Sequence, residues 1–132
     1  MDDASRRDQG MKLRREVLGD AHVDRSLTKR NDFNGDFQDF ITRYAWGEVW
    51  SRPGLPRQTR SLVTLALMAA LNRGDEFRMH VRAALDNGVT RKEISELLLH
   101  TALYAGLPAA NTAYHLAEDV FAALDDETRA QR

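Results

Sequence analysis

Apolar residues recur along most of this chain at spacings of three and four, the repeat of a helix with one face turned inward. Gly and Pro cut that pattern into blocks. Met11 to Gly19 is a short helical block, with Leu13, Val17 and Leu18 on one face. The stretch GDAHVDRSLTKRND is polar and irregular and predicts a loop. Asp32 is placed to cap a second helix carrying Phe33, Phe37, Phe40, Ile41, Tyr44 and Ala45, which stops at Trp50 ahead of RPG. Leu55 to Asn72 is apolar almost all round, which predicts burial on most sides, between subunits as well as within one. Gly74 breaks it, and an amphipathic helix follows from Glu76 to Asn87, ended by Gly88. Thr90 and Glu93 form a capping box for a helix reaching Tyr104. After the turn AGLP a last helix spans Ala109 to Leu124. No block alternates as a strand would. The expected fold is all-α, a bundle of about six helices in one domain over residues 1–132, with loose tails at about 1–10 and 126–132.

Composition narrows the chemistry. The 19 basic and 20 acidic residues give a net charge of −1, which offers no general attraction to nucleic acid or an anionic membrane. No run approaches the roughly 18 apolar residues of a membrane span. The charged N-terminus MDDASRRDQG does not read as a signal peptide, so a cytoplasmic protein is expected. The chain has 0 cysteines, which excludes disulfides, thiolate nucleophiles and thiol redox chemistry.

Helical spacing brings a few ionisable residues together. Glu76 and His80 lie one turn apart, and a carboxylate beside an imidazole sets its tautomer and raises its basicity, as proton transfer near neutral pH requires. A surface ion pair is the bland alternative. Arg73 lies two turns before His80 on roughly the same stripe. Glu48 stands between Trp46 and Trp50, whose rings would desolvate it and raise its pKa. Arg52, Arg57 and Arg60 surround the RPGLPR turn as a possible carboxylate clamp, Arg57 being the one best read as ordinary surface charge. His100 and His115 fall on apolar stretches and read first as core histidines. His22 lies in the polar stretch with Asp20 and Asp24. No metal-binding motif, phosphate loop or nucleophile elbow is present in the sequence.

The run RYAWGEVWSRPGLPRQTRSLVTLALMAALNRGDEFRMHVRAALDNGVTRKEI and the later YAGLPAANTAYH resemble the 4-carboxymuconolactone decarboxylases, within the wider alkyl hydroperoxidase D-like superfamily. The resemblance covers roughly Met11 to Phe121. The peroxidase branch carries a Cys-x-x-Cys pair and a following histidine; Arg73, Glu76 and His80 stand at those positions here, so peroxide reduction by thiols is excluded. The resemblance implies an alkyl hydroperoxidase D-like fold in a homo-oligomer, expected to be a hexamer. It implies a carboxy-lyase acting on a small anionic lactone, with no cofactor and no metal; the alternatives are a decarboxylase or isomerase of a related lactone and a non-catalytic helical oligomer that binds a small anionic ligand. On that basis His80, Glu48 and Glu76 are the expected catalytic residues. Arg52, Arg60, Arg73, Trp46 and His100 are the expected substrate-binding residues.

Overall fold

The structure, a computed structural model, describes residues 1–131. It is all-α: seven helices and no strand among the described residues, the third helix running on without a break into a π-helical stretch. The chain forms two compact units, Met1–Arg57 and Gln58–Arg132.

The first unit is built on α1 (Asp3–Leu18) packed against the π-helical stretch Ile41–Trp50 that continues α3 (Gly35–Phe40). Its core is Leu13, Val17 and Trp46, with Leu18, Ile41, Ala45 and Trp50 around them. The two helices cross at a pair of glycines. A Cβ on Gly10 would collide with the Thr42 carbonyl and the Gly47 amide, and one on Gly47 with the Arg6 carbonyl. Only hydrogen at both positions lets the backbones approach this closely.

Several sequence expectations are corrected in this unit. α1 starts at Asp3, not Met11: Asp2 caps it by accepting the Ser5 N–H at 2.8 Å, so the expected loose N-terminal tail is helix. Its polar residues are held in place by pairs such as Arg6 with Asp3 and Glu48. The expected loop contains α2 (Asp20–Thr28), which buries a single apolar residue, Val23, and is tied to α1 by Arg15 through Asp20 and Asp24 at 3.0 and 2.9 Å. One buried residue leaves no periodicity to read. Asp32 does not cap α3: the residue at the cap position is Asn34, without a side-chain cap bond, and Asn31 Oδ1 accepts the N–H groups of Phe33 and Asn34 in the turn before the helix. Phe33, Phe37 and Phe40, expected to face inward, are exposed, while Thr42, Trp46 and Gly47 are buried. The π-helical winding and the glycine contact select that face, and a 3.6-residue repeat does not anticipate it.

Asp39 is a sensor of acid in this unit. Arg30 donates to both of its carboxylate oxygens at 2.7 and 3.0 Å, and these bonds, with Arg7 nearby, hold its pKa below the ordinary carboxylate value. A depressed folded-state pKa stabilises the fold above the unfolded value of about 3.9 and loses that contribution as pH falls through the folded value. Urea midpoints are therefore expected to drop below about pH 4. The drop should be smaller in Asp39→Asn, and modest in both because Arg30 is partly exposed.

The second unit holds α4 (Arg57–Ala70) from Gln58 onward, α5 (Gly74–Asp86), α6 (Arg91–Ala105) and α7 (Leu107–Ala130). Leu65, Phe77, Val81, Ile94, Leu98 and Ala113 are central to its core. α4 ends with Asn72 in the left-handed region (φ 57°), letting the Arg73 N–H return to the Met68 carbonyl at 2.9 Å. The capping box is present as expected: Thr90 Oγ1 accepts the Glu93 N–H at 3.1 Å and Glu93 Oε1 accepts the Thr90 N–H at 2.9 Å. α7 runs six residues past the expected Leu124, to Ala130. Arg91 pairs with Asp125 and Arg82 with Glu127, so the acidic end that reads as a tail is pinned by helices α5 and α6. On α4, Leu65 and Ala69 are buried but Val63 and Leu67, with Leu71 just past the helix end, form an exposed stripe, and Leu99, Leu103 and Leu107 are exposed on α6 and the start of α7.

Candidate active site

The residues singled out from sequence fall into both units. Trp46, Glu48 and Arg52 belong to the first; Arg60, Arg73, Glu76, His80 and His100 belong to the second.

In the first unit the π-helical stretch positions Trp46, Glu48 and Trp50. Trp46 is buried and its ring stacks on Trp50, with centroids 4.8 Å apart and planes 29° from parallel. The two indoles meet each other and do not enclose Glu48. The Glu48 side chain is 46% exposed and pairs with Arg6 at 3.3 Å and Arg52 at 3.8 Å. The expected desolvation of Glu48 by its aromatic neighbours is thus corrected. Residues two apart on a helix do not share a face, and what surrounds Glu48 is cationic. A carboxyl group between two guanidiniums can press against or replace a substrate carboxylate. Arg57, the third arginine of the turn, is held by Glu16 at 2.8 Å.

In the second unit α5 sets the geometry. Phe77, Val81 and Ala84 face the core. Glu76 lies in the exposed first turn, where the helix dipole favours a carboxylate. His80 follows one turn later and is half-buried, at the edge of the core-facing stripe. Arg73 precedes the helix and is exposed, so its charge is available to a ligand. It borders a cavity of about 90 Å³ between α4, α5 and α7, with a floor that includes Met68, Phe77 and Leu116 and a rim that includes Asn72 and Thr112. Asn72 and Thr112 were not anticipated as site residues. Only the fold brings the end of α4 to the first turns of α7. Arg60 is half-buried on α4.

His100 is corrected from a core residue to an exposed one. Its ring lies 5.1 Å from that of Tyr104, and it borders an open groove with Leu62, Glu96 and Leu97. His115 is exposed as well. His22 sits on α2, where burial first, then Arg25, Arg14 and Lys29, lowers its pKa. Among the described residues no group of three or more His, Cys, Asp and Glu side chains is arranged to hold a metal ion, and no helix is long and apolar enough to cross a membrane.

The model of the carboxymuconolactone decarboxylase family matches residues 35–119. The chain belongs to this family. The matched segment runs from α3 into α7 and contains all the residues expected to be catalytic or substrate-binding. Among curated relatives of this carboxymuconolactone decarboxylase family member, 4-carboxymuconolactone decarboxylase of Acinetobacter baylyi is 64% identical over 92% of this chain and 90% of its own length. Nitrosuccinic acid decarboxylase of Metarhizium robertsii is 45% identical over 77% of this chain and 71% of its own. A 4-carboxymuconolactone decarboxylase sequence from Pseudomonas putida is 65% identical over 36% of this chain and all of its own length.

Proposed function

We propose that this protein decarboxylates 4-carboxymuconolactone to 3-oxoadipate enol-lactone, in the protocatechuate branch of aromatic catabolism, without a cofactor. The observation that carries the proposal is the 64% identity to the Acinetobacter enzyme across nine-tenths of both chains.

The substrate's chemistry explains why side chains suffice. One ring carbon bears both the departing carboxylate and a carboxymethyl arm, and a C=C bond joins it to the lactone carbonyl. Loss of CO₂ leaves an electron pair that spreads through the double bond onto the carbonyl oxygen. The ring is its own electron sink, a role that pyridoxal phosphate or thiamine fills elsewhere. Protonation next to the carbonyl completes the reaction. The fungal relative supports the same logic: nitrosuccinic acid, after which that enzyme is named, carries a carboxylate on the carbon that bears a nitro group, another built-in acceptor.

The protein's tasks are to hold a dianion, to favour charge developing on the lactone oxygen, and to deliver one proton. In this reading Arg52 of the first unit and Arg60 and Arg73 of the second are each candidates to anchor a carboxylate, and Trp46 and His100 are further candidates for contact with the substrate. His80 donates the proton, oriented by Glu76, and Glu48 acts as a second acid or against the departing carboxylate. The exposed stripes of α4 and α6 support a homo-oligomer, and we take a hexamer as the working assembly; apolar rows of this kind are what subunit contacts cover.

The test is direct. Purified, chelator-treated protein is mixed with 4-carboxymuconolactone, and loss of the substrate chromophore and release of CO₂ are followed. Turnover without added metal or organic cofactor is expected. Protein that is inert until such a group is added overturns the mechanism, and turnover of nitrosuccinic acid alone overturns the substrate.

A further inference from the structure

Arg14 is a buried cation with no carboxylate. It lies on α1 at 6% exposure, outside the segment matched by the family model. Its Nη2 donates to Gln38 Oε1 at 3.2 Å and its Nη1 to Thr42 Oγ1 at 3.4 Å, long bonds to neutral acceptors. Its Nε–H is buried and has no acceptor. No ion pair includes Arg14 among the described residues, whereas neighbouring Arg15 holds both Asp20 and Asp24.

The titratable groups beside Arg14 are themselves basic. Arg15 lies beside it on α1, and His22 approaches from α2. Burial and then Arg15 lower the Arg14 pKa from its ordinary value, yet a guanidinium stays charged at any physiological pH. A buried charge left uncompensated is strongly destabilising. Nε–H and the adjacent Nη–H together form one edge of the guanidinium fork, the edge that grips a carboxylate with two parallel bonds. Thr42 Oγ1 spends its own proton on the Gln38 carbonyl at 2.9 Å, so it can only accept from Arg14. The arrangement sits where α3 passes into the π-helical stretch, a distortion frequent at functional sites.

We infer that Arg14, flanked by Gln38 and Thr42, is a carboxylate-binding site whose anion comes from outside this chain. The carboxylate belongs either to a small organic acid or to an Asp or Glu of a second copy. The inference does not depend on the proposed chemistry at His80.

The experiment uses the full-length protein in its native assembly. Wild type, Gln38→Glu and Arg14→Met are melted in rising succinate, with ionic strength held constant by chloride. Gln38→Glu places a carboxylate where a neutral oxygen now stands 3.2 Å from Nη2. If a small acid is the ligand, succinate raises the wild-type midpoint. At a hundred times its dissociation constant the folding equilibrium shifts about 100-fold. Gln38→Glu then melts higher than wild type without succinate, and neither variant responds to it. If a second copy supplies the carboxylate, wild type ignores succinate. On dilution Gln38→Glu then dissociates at a concentration where wild type stays assembled, because the internal carboxylate displaces the partner's. Gln38→Glu is nearly isosteric, so this arm stands even if Arg14→Met does not fold. A wild type that ignores succinate while Gln38→Glu assembles as it does overturns the site, and so does a succinate response that persists in Gln38→Glu.

Discussion

Replacing His80 with alanine is expected to lower turnover of 4-carboxymuconolactone by about 10²–10⁴-fold, the range that a positioned proton donor contributes. His80 carries the prediction because it combines a titratable ring with half-burial and a carboxylate one turn away. Decarboxylation alone leaves a delocalised anion that water can protonate slowly and without control, so the loss should appear in kcat more than in KM. The pH–rate profile should lose the limb that reports the donor. The measurement is steady-state kinetics on a variant whose assembly matches wild type. A fall of less than threefold would remove His80 from the chemistry. The arginine variants should behave differently, raising KM first, since they meet carboxylates present in both ground state and transition state.

Gly10→Ala is expected to destabilise the protein by about 2 kcal/mol, although the same change at an ordinary helix position would help. Alanine gains about 1 kcal/mol over glycine in a helix interior. Here the added methyl meets the Thr42 carbonyl and the Gly47 amide, which are backbone and cannot rotate away. Forcing the helices apart costs on the order of 3 kcal/mol and unpacks Leu13, Val17 and Trp46. Chemical denaturation monitored by tryptophan fluorescence reads this directly, because Trp46 and Trp50 lie at that crossing. Wild-type stability in Gly10→Ala would show that the two helices are free to separate. Activity should fall with it, since Glu48 and Arg52 are positioned by the same π-helical stretch.

Sequence periodicity by itself established an all-helical chain and the capping box at Thr90, because both depend on neighbours three and four residues apart. The absence of cysteine excluded thiol chemistry for the simplest of reasons. The spacing of Glu76 and His80 offered them as a candidate pair, and the motifs around them were enough for the family. Tertiary structure decided what local spacing does not carry. It made a helix of Asp20–Thr28 through one buried valine and two ion pairs. It turned the Phe33, Phe37 and Phe40 row outward, because a glycine crossing and π-helical winding chose the opposite face. It stacked Trp46 on Trp50 and left Glu48 among guanidiniums. Arg14 and Arg15 are adjacent and identical in sequence, yet one is buried without a counter-ion and the other is half-buried and paired with two. Local composition sets which residues can form helix; burial and charge pairing depend on which distant backbone comes near, and that is a property of the packed chain alone.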